Sequence, residues 1–135
     1  MRPAHLTLLA TLLLALPAAA QKFNGTKSAA CDGVTQSEMN ACAQDALQQA
    51  DAALNASYRR LTARLSGTPA AARSLVEAQR AWIRFRDTEC DFATIGYEGG
   101  SIRPMLTSQC LEGMTRQRTA ELENHIRCLS VEGGC

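Results

Sequence analysis

The chain has 135 residues, with 14 lysines or arginines, 13 aspartates or glutamates and six cysteines. A formal net charge of +1 argues against nucleic acid and an anionic membrane surface as partners, because both attract an excess of positive charge. The length fits a single small domain after any leader is removed.

Residues 1–20 have the pattern of a secretory signal peptide. Arg2 precedes an apolar run from Leu6 to Leu16, and small residues follow Pro17. The run is shorter than the ~20 residues that a membrane-spanning helix needs. Cys31 lies too far beyond it for a lipid anchor. The sequence therefore predicts a mature, formally neutral protein that begins near Gln21, in the periplasm or outside the cell, with no membrane insertion.

The six cysteines all lie in the predicted mature part, at Cys31, Cys42, Cys90, Cys110, Cys128 and Cys135. An even number of cysteines in a small exported chain predicts a disulfide framework. The absence of any Cys-x-x-Cys motif removes support for thiol-redox, zinc or haem chemistry. We expect neither a metal nor a cofactor.

A first helix follows a predicted flexible arm at residues 21–34. Thr35 and Glu38 form a capping box at its start, and Gly67 ends it. Its apolar stripe recurs at three- and four-residue steps, which is typical of an amphipathic helix. The stripe consists of Leu47, Ala50, Leu54, Tyr58, Leu61 and Leu65.

Two more helices are predicted. Thr68 and Pro69 start the second, which should run to about Ile95. Ser101 can cap the third, where Pro104 is tolerated in the first turn. The buried stripe of the third helix is predicted to contain Leu111, Met114, Leu122, Ile126 and Leu129.

No segment shows the period-two alternation of a strand, and short turns between long helices favour antiparallel neighbours. The predicted fold is all-α: a small, disulfide-stapled, antiparallel three-helix bundle over residues 35–129. A tail at residues 130–135 would let Cys135 bond to Cys128.

Polar pairs can be predicted from the distance of each residue to the first interhelical turn, at Gly67-Thr68. Residues of the two helices that are equally far from this turn face each other in an antiparallel hairpin. Asp51 then lies level with Arg86, where a bidentate pair would form. Asn55 lies level with Gln79, and the two amides would satisfy each other. We interpret these residues as mainly structural.

The same levels favour a disulfide between Cys42 and Cys90, which leaves Cys31 for Cys110. The alternative is that Cys31 folds back onto Cys42.

Several ordered elements together resemble the LprI family of lysozyme inhibitors. They are Cys31 and Cys42 with ten residues between them; Asp51-x-x-Leu54-Asn55-x-x-Tyr58; Gln79-Arg80-x-Trp82-x-x-Phe85-Arg86-Asp87-x-x-Cys90; Gly99-Gly100-Ser101; and Cys110. The resemblance runs from Cys31 to about Leu122. It implies an all-helical domain with four disulfide-forming cysteines that binds and inhibits lysozyme. Cys128 and Cys135 lie beyond the family's pattern.

A lysozyme cleft contains two catalytic carboxylates, so an inhibitor needs a protruding element that enters it. The Gly96–Arg103 turn is the best candidate, and its Tyr97 and Arg103 are residue types favoured at binding hot spots. The alternative is a plain solvated turn.

Catalysis has little support. His125 is the only histidine of the mature chain and is best interpreted as a surface residue. Asp87, Glu89 and Asp91 are typical of a solvated helix face. We therefore predict a binding protein rather than an enzyme.

The rival function is that of a structural or holdase-type envelope stress protein, which would require an exposed apolar patch. The candidates for such a patch are Phe23, Phe92, Ile95 and Ile102.

Overall fold

The computed structural model describes Cys31 and residues 35–130. This part of the chain forms α1 (Gln36–Arg64), α2 (Pro69–Thr94) and α3 (Arg103–Cys128), with a short 3-10 helix at Ile95–Tyr97. It contains no strand, and the predicted all-α three-helix bundle is confirmed. The predicted signal peptide and most of the predicted arm lie outside the described residues. Within those residues, no helix has both the length and the apolar character required to cross a bilayer.

The first two helices begin where local sequence signals predict. The Glu38 amide donates to Thr35 Oγ1 at 3.2 Å, and the Thr35 amide donates to the Glu38 carboxylate at 2.9 Å, so the capping box is confirmed. The Thr68 amide donates to the Leu65 carbonyl at 2.9 Å and closes the first turn. Pro69 then occupies the first turn of α2, where no helical donor is required.

The start of α3 differs from the prediction. Ser101 does not cap the helix, because the Arg103 amide donates to the Gly100 carbonyl at 3.2 Å and extends the turn through Ile102. Ser101 instead accepts a hydrogen bond through its carbonyl from the Asn40 side chain at 3.1 Å. The connection between α2 and α3, which we call the second turn, is thereby attached to the beginning of α1.

The third helix is the central element. α1 packs mainly against α3, α2 also packs against α3, and α1 and α2 contact each other at few points. α1 and α3 run parallel, since Gln36 contacts Met105 at one end and Arg64 hydrogen-bonds Ser130 at the other. A groove therefore remains open between α1 and α2.

The buried interior has two chemically different parts. Near the first turn lies an apolar cluster, with Tyr58, Leu65 and Trp82 packed against it; its members are Leu54, Leu61, Leu75, Leu122 and Ile126. Nearer the second turn, the buried side chains are small or polar, apart from Leu47. They include Ala43, Ala46, Ala50, Ser108, Glu112 and Thr115.

Two disulfides join consecutive cysteines, Cys31 to Cys42 and Cys90 to Cys110, with Cα–Cα distances of 5.6 Å. The favoured pairing of Cys42 with Cys90 is wrong, and the alternative for Cys31 is confirmed. Cys42 and Cys90 do not meet because α1 and α2 do not pack closely, whereas α3 brings Cys110 against Cys90. The first bridge therefore joins the segment before α1 to α1, and the second joins α2 to α3.

The end of α3 also differs in part from the prediction. Leu122 and Ile126 are buried, as the stripe predicts, but Leu129 is 44% exposed. Leu129 follows the last residue of the helix, so it leaves the buried face. Cys128 is disulfide-bonded, while the predicted partner, Cys135, lies outside the described residues.

Candidate functional site

Arg86 lies at the centre of a polar network that joins all three helices. Its Nη1 donates to Asp51 on α1 and to Thr115 on α3, both at 2.9 Å. Its Nε donates to Asp87 at 2.9 Å. The predicted Asp51–Arg86 pair is confirmed, but it is not bidentate, because the guanidinium divides its donors among three partners. The side chain of Arg86 is only 13% exposed.

Trp82 lies beside this network at the edge of the apolar cluster. The guanidinium carbons of Arg86 and Arg118 lie over its ring, 5.3 Å and 5.9 Å from the ring centroid. Arg118 Nε also donates to the side-chain amide oxygen of Gln79, Oε1, at 3.1 Å. The predicted pairing of Gln79 with Asn55 is therefore wrong, and Asn55 is exposed.

Sequence reasoning missed Thr115 and Arg118, which complete the network from α3. Thr115 is fully buried, although it is polar. A signal was present, because several polar residues of α3 share the helical period of its buried apolar ones. The positions on this stripe are Ser108, Glu112, Thr115, Leu122 and Ile126.

The groove between α1 and α2 has a volume of about 590 Å³. Of the motif residues interpreted as mainly structural, it brings together Asp51, Asn55, Tyr58, Gln79 and Arg86, while Trp82 and Asp87 lie outside its lining. The lining residues are Asp51, Leu54, Asn55, Tyr58, Val76, Gln79, Arg80, Ile83 and Arg86. Because Asp51, Gln79 and Arg86 are already paired within the bundle, the groove leaves few polar groups free for a ligand.

Arg86→Lys should lower the free energy of unfolding by about 1–3 kcal/mol. One ammonium group cannot replace a guanidinium that bonds groups on three helices, and the loss leaves buried polar atoms without partners. Urea unfolding of the oxidised protein measures the change. Arg84→Lys on the exposed face of the same helix is the matched control and should have no effect; equal stability of both variants would contradict the structural role of Arg86.

The second candidate surface is the end of the bundle at the second turn, which exposes four large apolar side chains. We call this set the apolar tip: Phe92 is 74% exposed, Ile95 49%, Tyr97 50% and Ile102 36%. Tyr97 lies in the 3-10 helix at the end of α2. Exposed apolar side chains of this size make the end of the bundle a candidate interaction surface.

Arg103 does not project from the turn. Its Nη2 is 2.6 Å from Asp91 Oδ1 on α2, and its side chain is only 25% exposed. The predicted pair of binding residues thus separates into an exposed Tyr97 and an Arg103 that holds the turn to α2. Asp91, which the sequence indicated to be simply solvated, is the partner in this ion pair.

The tip is fixed to the rest of the bundle at several points. The Cys90–Cys110 disulfide lies at its base, and Cys90 is fully buried. The hydroxyls of Thr94 and Thr107 are 3.0 Å apart, which adds a second link between α2 and α3. The turn therefore presents Tyr97 from a rigid base.

The surroundings of the tip are acidic. Residues 86–103 contain two arginines, which pair with Asp87 and Asp91, and four carboxylates. The four are Asp87, Glu89, Asp91 and Glu98. The described residues contain no cluster of three or more His, Cys, Asp or Glu side chains placed to hold a metal ion. The tip thus combines apolar surface with negative charge.

Comparison with known proteins agrees with the sequence motifs. The family model for the lysozyme inhibitor LprI matches residues 26–122, which include both described disulfides and the Arg86 network. An uncharacterized protein of Rhizobium meliloti (strain 1021) is 42% identical over 101 residues, which cover 67% of this chain and 73% of that protein. No solved structure matches the chain. The chain belongs to the LprI family of lysozyme inhibitors.

Proposed function

We propose that this protein is an exported inhibitor that occupies the cleft of a lysozyme with its apolar tip. Membership of an inhibitor family supports the activity. The leader pattern at residues 1–20 supports export to the periplasm or beyond the cell. The observation that carries the choice of surface is the exposure of Tyr97 among three other apolar side chains on a rigid base.

The tip suits a partner that has a cleft to receive the apolar side chains and positive charge on the surface around that cleft. Apolar and aromatic side chains contribute most of the binding energy when they fill a desolvated pocket. The three carboxylates on α2 behind the tip, Asp87, Glu89 and Asp91, would face positive charge around the cleft and accelerate association. A basic lysozyme has both properties, and its catalytic carboxylates lie inside the cleft rather than around it.

The rigidity of the tip supports inhibition. A loop that is ordered before binding loses less conformational entropy on association. The Cys90–Cys110 bridge and the Arg103–Asp91 pair supply this order in the free protein. A rigid tip also resists being drawn into the cleft as an extended segment.

Tyr97→Ala should weaken inhibition about tenfold, as truncation of a hot-spot side chain does. The fold should survive, because a half-exposed turn residue contributes little to stability. Inhibition constants against lysozymes of different classes, with circular dichroism melts, measure both effects. Glu98→Ala is the neighbouring control and should leave inhibition unchanged or improve it, since it removes a negative charge near the cleft carboxylates.

Two outcomes would contradict the proposal at different levels. If excess folded wild-type protein leaves the turnover of every lysozyme class unaltered, the inhibitor function is wrong. If inhibition is observed but survives Tyr97→Ala, the function stands and the tip is not the binding surface. The exposed arginines Arg80 and Arg84 would then be tested first.

The exposed apolar side chains also favour a second candidate, a structural or holdase-type envelope stress protein. Of the patch residues predicted for that function, Phe92, Ile95 and Ile102 are exposed, and Phe23 lies outside the described residues. This function requires that the protein suppress the aggregation of unrelated heated proteins at stoichiometric concentration. Suppression that is lost on Phe92→Ser, without any effect on lysozyme, would favour it.

A further inference from the structure

The fold separates the charges of this chain into two opposite ends. The half of the bundle at the first turn, residues 51–84 and 116–130, has nine arginines and four carboxylates, or net +5 with His125 neutral. The half at the second turn, residues 35–50 and 85–115, has seven carboxylates and two arginines, or net −5. The described part of the chain is therefore neutral in sum and strongly polarised along its length.

The two ends act independently in salt. A helix of 26 residues is about 40 Å long, whereas charges are screened over ~10 Å at 0.1 M ionic strength. A partner at one end therefore experiences the charge of that end alone. The net charge of the whole chain, which argued against anionic partners, does not describe either surface.

The positive charge is accessible at the first-turn end. Arg59, Arg73 and Arg127 are exposed and form no ion pair within the described residues. Arg60 and Arg80 are paired, but their side chains remain 60% and 67% exposed. All the basic residues of the described chain are arginines, whose planar donors suit phosphate oxygens.

We propose that this basic end docks on the anionic phospholipid surface of a membrane, which leaves the apolar tip pointing away from it. The arginines are spread over α1, α2 and α3 at one end of the bundle, as contact with an extended surface requires. Among the described residues of that half, no phenylalanine, tyrosine or tryptophan is exposed. A stacking platform for single-stranded nucleic acid is therefore missing there.

The test is co-sedimentation of the purified, oxidised protein with vesicles of phosphatidylglycerol and phosphatidylcholine, against vesicles of phosphatidylcholine alone. We expect binding only to the anionic vesicles, with loss at high salt. Arg59→Gln, Arg73→Gln and Arg127→Gln together should reduce the partition coefficient on the order of 100-fold, since each arginine near an anionic surface contributes roughly fivefold. Lysozyme inhibition should remain unchanged in this variant, which separates the two surfaces.

The matched control changes net charge by the same amount in the other half of the bundle. Ala41→Glu, Gln48→Glu and Gln49→Glu add three negative charges at exposed positions of α1. This variant should retain vesicle binding. Equal losses in the two triple variants, or no preference of the wild type for anionic vesicles, would overturn the proposal. The proposal would also be overturned if an anionic polysaccharide displaced the protein from the vesicles at a concentration of negative charge lower than that of the lipid. The basic end would then be assigned to that polymer.

Discussion

Trp82→Ala should lower the free energy of unfolding by about 3 kcal/mol, a large share of the stability of a small domain. The indole packs against the apolar cluster, and Arg86 and Arg118 lie over its ring. Its removal leaves a space at the edge of the core and exposes both guanidinium groups to rearrangement. Urea unfolding followed by circular dichroism measures the effect.

Phe85→Ala provides the comparison, because Phe85 is an aromatic residue on the same helix that is 56% exposed. Its truncation should change stability by no more than about 0.5 kcal/mol. If Trp82→Ala leaves the melting temperature unchanged while lysozyme inhibition disappears, Trp82 is a binding anchor and not part of the core.

Replacing Cys90 and Cys110 together by serine should cost about 3 kcal/mol. The bridge closes a loop with a sequence separation of 20, and its loss increases the entropy of the unfolded chain. It also removes the attachment at the base of the apolar tip. Inhibition of lysozyme should therefore weaken under conditions where the variant is still folded.

The double serine variant of Cys31 and Cys42 is the control for this second effect. Its loop has a sequence separation of 11, so the expected loss of stability is similar, about 2–3 kcal/mol. This bridge holds the start of α1 and not the tip, and inhibition should persist in the folded protein. Equal weakening of inhibition in both double variants would show that the Cys90–Cys110 bridge has no special role in ordering the tip.

The predictions that succeeded depend on short-range physics or on position along a helix. Thr35 and Glu38 mark the start of α1 through hydrogen bonds made within one turn, and Pro69 marks the start of α2 through its fixed φ angle. The level of Arg86 in the hairpin located Asp51, because the long arginine side chain can bridge separated helices. Hydrophobic period and turn residues were therefore sufficient for the architecture.

The predictions that failed required knowledge of how the helices pack sideways. The predicted partners of Cys90 and Gln79 were on α1, as if α1 and α2 were direct neighbours. The observed partners are on α3, which supplies Cys110 to Cys90 and Arg118 to Gln79. Arg103 was interpreted as a free binding residue, because its partner Asp91 is twelve residues away on another helix. The separation of charge likewise arises only when three helices are aligned, and a sum over the sequence conceals it.

The central position of α3 has a consequence for the order of biogenesis. The first two helices cannot complete the core alone, because they contact each other at few points and depend on Leu122 and Ile126. A chain crossing a membrane from its N-terminus would stay extended until its last third arrived. Since Cys31–Cys42 and Cys90–Cys110 each join successive cysteines, oxidation during that passage could form each native bridge as soon as its second thiol emerged.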